Sequence, residues 1–386
     1  MSRSRRNFVR TLGLGGAGLS TSFIIGRGRE AMAFEPGALL PPDDGGAIRI
    51  SSNENARGPG RKAIEALQKA ITPRVGRGYP PDYTDDLVET IARHYKVGKE
   101  NVIIATGSGP ILEAAVRAFC SAGKPLVTAG PTYGTSEATA RRIGVPVKSV
   151  RVDRTLAIDL DAMADAAPGA GLVYFCNPNN PTGTAHNAAA VERFVRRIKR
   201  ESPETAIHID EAYMDYTYDP AVKTSAALTQ ELPRVFISKS FSKAHGMAGL
   251  RIGYAVGQPA TVRPIAQASG LGSMNTLSAA AAIASLEDPA HIEAEVKENA
   301  RVRDFTLQAF RKLGYEAPEP HTNHIFVDLG RPASQFRDAC RALGVEVGRD
   351  FPPMEKTHSR LSLGTMDEMR KAVEVFRTVL TARSTL

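Results

Sequence analysis

Residues 238–254 read SKSFSKAHGMAGLRIGY. Two lysines, Lys239 and Lys243, stand four residues apart among small side chains and hydroxyls, with Arg251 just downstream. A long cation between Ser242 and Ala244 has little beside it to pair with, and a solvated surface loop would account for it. The segment is framed, however, by two short apolar runs, 235–238 and 252–256, that read as buried strands. A lysine carried between two buried strands has to be explained by what the rest of the chain brings to it.

Working outward, further short apolar runs fall at 102–104, 125–128, 145–152, 172–176 and 206–209. Segments with helical spacing lie between most of them, and others precede them, such as Ala63, Ile64, Leu67, Ala70 and Ile71, or Leu87, Val88, Ile91 and Tyr95. Strands alternating with helices predict an α/β fold, a mostly parallel seven-stranded-type sheet sandwiched by helices. Beyond Pro259 helical patterns dominate, including a long one at 290–313. Shorter strand runs at 325–329, 345–347 and 361–363 alternate there with helical runs at 333–343 and 367–380, the texture of a smaller α+β domain. The expected division is an N-terminal segment at 34–75 packing with the small domain, a large domain at 76–265 and a small one at 266–386.

The formal charge of +8 suggests nucleic acid, but six arginines against Glu30 put +5 of it in the first 33 residues, leaving +3 for the remainder. No Lys/Arg run interleaved with aromatics remains to track phosphates, so a nucleic-acid partner is not expected. The leading 33 residues have their own logic. Ser4 to Arg10, SRRNFVR, resembles a twin-arginine export signal; a weakly apolar glycine-rich stretch follows, and Ala31-Met32-Ala33 offers a cleavage site before Phe34. Export by that route is the expectation, with no stable membrane insertion once the signal is removed and a cytoplasmic location if it is not used. Cys120, Cys176 and Cys340 are odd in number and not at metal-ligand spacing, so neither a disulfide framework nor a metal site is expected.

Polar residues mark the strand ends, where ligands bind in open parallel sheets. After the first run comes Gly107-Ser108-Gly109, opening a helix whose free N–H groups suit a phosphate, although a plain turn would read the same way. CNPNNPTG at 176–183 holds two X-Pro pairs and a glycine, a rigid turn able to aim an asparagine amide. HIDEAY at 208–213 ends a strand on Asp210, which either caps a helix or, buried, faces a cation.

Taken together, NPNNPTG, HIDEAY and SFSKAHGMAGLRIGY resemble the fold-type I enzymes dependent on pyridoxal phosphate, in particular the class I/II aminotransferases and their histidinol-phosphate group, over residues 48–380. The resemblance implies pyridoxal 5'-phosphate as cofactor, with Lys243 forming the Schiff base. It implies that Asp210 pairs with the pyridine nitrogen, that Asn180 and Tyr213 bond the ring's phenolic oxygen, and that Tyr133 stacks on the ring. Ser108, Gly109, Ser240, Ser242 and Arg251 would hold the phosphate, joined by Tyr79 from a partner subunit in a homodimer. Arg360 would bind the substrate carboxylate, and the segment Asn53-Glu54-Asn55, with Asn55 among the substrate-binding residues, would close over the site. The activity implied is ping-pong transfer of an amino group to a 2-oxo acid. Related decarboxylases and lyases, resembling the threonine-phosphate decarboxylases, share the same residues.

Two positions depart from the pattern. Arg57 stands where the group usually has a tyrosine; it either reaches an anionic substrate tail or points to solvent. Arg349 lies near the group's second substrate arginine, offset by a residue.

Overall fold

The computed structural model describes residues 46–73, 75, 82–268 and 270–382. The expected export signal and Tyr79 lie outside them. Among the described residues, the first strand, β1 (Ile48–Ile50), belongs to a small sheet. The next seven, β2 (Val102–Ala105), β3 (Leu126–Gly130), β4 (Val147–Arg151), β5 (Leu172–Cys176), β6 (Ala206–Asp210), β7 (Val235–Ser240) and β8 (Gly253–Gly257), form the central sheet in the order β2-β8-β7-β6-β5-β3-β4. All neighbours are parallel except β8, which runs antiparallel to β2 and β7. The α/β expectation therefore holds, as a mixed, mostly parallel sheet.

Alternation along the strands sends side chains into two cores. Val173, Phe175, Ile207, Ile209 and Ile237 pack on one face with Leu87 and Ile91, Val191 and Val195, and Ala279 and Ala282, from three helices. Leu172, Tyr174 and Phe236 pack on the other with Ile111, Leu112 and Ile265. Each fully buried aliphatic or Phe side chain contributes roughly 1.5–3 kcal/mol of hydrophobic stabilisation, so a central strand buried on both faces is strongly held in register.

Past the long helix Pro289–Lys312, β9 (His324–Asp328), β10 (Val345–Val347) and β11 (His358–Ser362) build two small sheets: β1 pairs parallel with β10, and β9 antiparallel with β11. Ile50, Ile325, Val327, Val345, Leu361 and Phe376 form their shared core. β11 starts three residues before the expected run, and β1 was not expected at all. Thr365 and Glu368 close a capping box that starts the last helix immediately after β11. By contacts, the chain from Ala47 onward is one compact unit. No helix among the described residues is long and apolar enough to cross a membrane.

Candidate active site

A cavity of about 1070 Å³ opens beyond the carboxyl ends of β5, β6 and β7, and β11 supplies its far wall. Ser108, Gly109, Tyr133, Asn180, Asp210 and Tyr213 line it; so do Ser240, Ser242, Lys243, Arg251, Arg349 and Arg360. Twelve residues singled out from the sequence are thus brought to one space.

At one end, the helix Gly109–Phe119 begins with no side chain capping its first N–H groups. The turn before it needs glycine. Gly107 has φ +91°, and a Cβ there would lie 2.3 Å from Arg251 Nη2; a Cβ on Gly253 would lie 2.3 Å from the Ser108 amide. Arg251, itself in the left-handed region at φ +57°, donates from Nη1 to the Ala248 carbonyl at 2.9 Å and leaves its guanidinium exposed over this end. The amides of Ser108 and Gly109 at the helix start, the side chains of Ser108, Ser240 and Ser242 and a guanidinium make an anion site.

At the centre, Lys243 Nζ donates to the Asn53 carbonyl at 2.9 Å and lies 5.4 Å from the Tyr213 ring centroid. Burial, then the positive charge of Arg360, pull its ammonium down to about 8; Arg251 adds to this, while Glu54 and Asp210 oppose it. Lys239 differs. Burial alone would lower it, but Asp215 at 2.5 Å, with Tyr254 and Glu211 nearby, holds it well above the usual lysine value. Of these two lysines it is therefore Lys243 that is placed to lose its proton near neutrality. Asp210 and its neighbour Glu211 diverge as the strand period requires: Asp210 faces the cavity, and Glu211 turns away to accept from the Ser225 amide at 2.6 Å and Thr224 Oγ1 at 2.7 Å.

At the far wall, Arg360 Nη1 donates to Asn180 Oδ1 at 3.0 Å and Nη2 to the Ser51 carbonyl, while Nε is buried without a partner. Burial pulls this guanidinium down to about 10. Arg360 and Arg349 both lie against the Phe351 ring, at 4.8 and 4.2 Å from its centroid.

Two expected residues are not at the cavity. Arg57 neither reaches it nor points to solvent: Nε and Nη2 form a fork on Glu295 at 2.6 and 2.5 Å. Asn55 bonds the Ala244 carbonyl and the Arg57 amide. The contact from that segment is instead Asn53, whose Nδ2 donates to Tyr213 Oη at 2.9 Å and whose carbonyl takes Lys243. Asn53 sits at φ +56°, a backbone conformation asparagine tolerates better than most, within the Asn53-Glu54-Asn55 segment expected to close over the site. Arg337 and Arg341 also line the cavity. Their spacing of four on the helix Ala333–Ala342 could have grouped them.

Residues 46–376 match the aminotransferase class I and II family, and the chain belongs to it. It is a pyridoxal-phosphate-dependent aminotransferase of the histidinol-phosphate aminotransferase-like kind. The Symbiobacterium thermophilum histidinol-phosphate aminotransferase is 31% identical over 86% of this chain and 90% of its own length. An aromatic amino acid aminotransferase of Rhodococcus jostii is 32% identical over 91% and 94%. The structure of histidinol-phosphate aminotransferase from Sinorhizobium meliloti in complex with pyridoxal-5'-phosphate superposes with a TM-score of 0.79 at 27% identity, covering 87% of this chain and 91% of that one.

Proposed function

We propose that this aminotransferase takes an amino-alcohol phosphate as donor, and that its site is built for substrates bringing an anion beyond the reacting carbon. The observation that carries this is the crowding of guanidinium groups at the cavity wall: Arg349 and Arg360 on Phe351, with Arg337 and Arg341 beside them. A single α-carboxylate needs one planar fork. The surplus suits a phosphate, or the second carboxylate of a dicarboxylic 2-oxo acid acceptor. A second reading, an aromatic amino acid donor, is favoured by the aromatic aminotransferase similarity and by the ring faces of Tyr133 and Phe351.

The residues present fit the cofactor. The uncapped helix start with Ser108, Gly109, Ser240, Ser242 and Arg251 would take its phosphate, and the Gly107 and Gly253 positions leave the close approach that this requires. Asp210, whose hydrogen-bond partners are all uncharged, would face the ring nitrogen, with Asn180 and Tyr213 on the ring oxygen and Tyr133 on its face. When bound, pyridoxal phosphate supplies a carbonyl that takes up an amino group and a ring that accepts the electron pair left when the α-proton departs. Lys243, neutral above about pH 8, would be the residue that holds the cofactor, and its Nζ would carry that proton away from and back to the reacting carbon. Arg360, already fixed by Asn180 and Ser51, presents its unpartnered Nε to a substrate anion.

The test is steady-state kinetics with histidinol phosphate, histidinol, phenylalanine and glutamate. Arg349→Ala should raise KM for histidinol phosphate about tenfold or more, the loss of one charge-assisted contact, and leave phenylalanine within about twofold. Equal turnover of histidinol and histidinol phosphate would sink the phosphate reading; a preference for phenylalanine would install the second.

The twin-arginine signal resemblance of residues 4–10 supports export, and the resemblance of Gly78-Tyr79-Pro80-Pro81 to the segment whose tyrosine reaches a partner subunit's phosphate site supports a homodimer. Fractionation of cells carrying Arg5→Lys/Arg6→Lys, which should retain the protein in the cytoplasm, tests the first. Light scattering of the purified chain tests the second.

A further inference from the structure

Asp210 is held by three neutral donors. Tyr174 Oη donates to Oδ2 at 2.8 Å; the Ala212 amide and Ser238 Oγ donate to Oδ1 at 3.2 and 3.4 Å. Lys243 is the cation that bears on it, and Cys176, its register partner on β5, carries a thiol that burial pushes up and keeps uncharged. Burial works against the carboxylate form, so these donors decide whether the side chain carries its charge.

Behind them lies a second layer. Ser238 Oγ is 2.7 Å from His208 Nε2. A hydroxyl has one proton; if Ser238 gives it to Asp210, the bond to His208 must run the other way, with Nε2 donating. That tautomer leaves Nδ1 as a bare acceptor, and Nδ1 is the ring atom without a partner. The opposite tautomer would bury an unpaired N–H, the rarer and costlier defect. The imidazole is fixed by stacking on Phe236 at 4.4 Å and by meeting Tyr174 edge-on at 5.5 Å. Burial keeps it neutral, pulling it down to about 3. Strand register builds the set: Tyr174 stands opposite His208, and Asp210 opposite Ser238.

We infer that Tyr174, Ser238 and His208 are positioning residues that act through Asp210, holding its carboxylate charged and aimed at the ring nitrogen of the cofactor. This rests on the proposed pairing of Asp210 with that nitrogen. The donors run His208 to Ser238 to Asp210, with Tyr174 on the other oxygen, and all come from three adjacent strands. Their geometry therefore does not depend on loop movement.

The test loads pyridoxal phosphate, ¹⁵N-labelled in its ring, into the wild-type protein and the variants Tyr174→Phe, Ser238→Ala, His208→Phe and His208→Gln. The ¹⁵N shift reads ring protonation, equilibrium dialysis reads affinity, and urea midpoints confirm folding. Tyr174→Phe should move the signal toward the unprotonated position and loosen the cofactor by about tenfold or more, the value of a hydrogen bond to a charged group. Ser238→Ala and His208→Phe should move it the same way by less, and His208→Gln, which retains a donor, should recover part of the shift. Wild-type shift and affinity in Tyr174→Phe, Ser238→Ala and His208→Phe alike would overturn the inference. Asp210→Asn separates the layers. If that variant alone loses the protonated signal, Asp210 pairs with the nitrogen unaided and only the inference falls. If even Asp210→Asn keeps the signal, the pairing itself is wrong.

Discussion

Arg57 offers a sharp test, because its geometry assigns it to stability and its sequence position suggests substrate. The guanidinium makes two parallel bonds to Glu295, at 2.6 and 2.5 Å, and Tyr216 Oη donates to the same carboxylate at 3.1 Å. The Glu295 side chain is 1% exposed and that of Arg57 26%. Arg57→Ala would leave a buried carboxylate with one neutral donor. Breaking a fully buried pair costs about 3–5 kcal/mol and an exposed one below about 1, so a pair with one end partly wet should lose about 2–4 kcal/mol. Urea unfolding of the cofactor-loaded protein measures this loss. Replacing both partners, as Arg57→Met/Glu295→Leu, removes the stranded charge and should recover most of it, giving a coupling of about 2 kcal/mol. KM for histidinol phosphate should stay within about twofold of wild type in Arg57→Ala, since no uniform binding is removed. Unchanged stability with a tenfold higher KM would refute the reasoning and return Arg57 to the substrate.

Two further outcomes follow from the site. Lys243 falls from its ordinary value to about 8, so it is an ammonium below that pH and a free amine above; the rate at which cofactor-free protein develops the visible band of attached pyridoxal phosphate should rise through about pH 8 and then level. Arg360→Met removes a charge that favours the amine and should move that midpoint upward, whereas a downward move would contradict the assigned cause; Lys243→Ala should show no attached-cofactor band at any pH. Gly107→Ala forces a Cβ to within 2.3 Å of Arg251 Nη2 at a positive φ, and should weaken phosphate and cofactor binding together in a calorimetric titration while Gly109→Ala, with open space around it, does so less.

The large sheet was legible because its central strands are buried on both faces and several read as unbroken apolar runs, such as LVYFC in β5, although the edge strand β4, VKSVR, has no buried residue. What local pattern does not carry is direction and distant pairing. β8 runs antiparallel to β7, and the connection between them, residues 241–252, carries Lys243 and one 3-10 turn in place of the crossover helix that a parallel neighbour usually needs. β1 has three residues, with Arg49 in the middle, and exists through its pairing with β10 almost three hundred residues away. Motif spacing recovered twelve residues that line one cavity; within Asn53-Glu54-Asn55 it singled out Asn55, whereas the contact to Lys243 comes from Asn53, through a backbone carbonyl that any residue type would provide.

The misplacement of β11 shows where hydrophobic reading fails and why. The run at 361–363 has apolar residues at both ends, Leu361 and Leu363, yet the strand is His358–Ser362, with Ser359 and Arg360 both buried. A buried arginine with an unpartnered Nε is costly in an isolated chain and is retained where something else completes it. The same holds for the polar set behind the site. Tyr174 and His208 sit inside runs that otherwise read as core, and singly each is an ordinary buried aromatic or histidine. Only the register, which sets Tyr174 opposite His208 and Asp210 opposite Ser238, turns four scattered polar residues into one connected network around a carboxylate. Were Tyr174, His208 and Ser238 packing side chains alone, replacing all three by apolar residues of similar shape would leave ring protonation untouched. Satisfied polar networks in a low-dielectric core are coupled, so the triple variant should instead lose more than any of its parts.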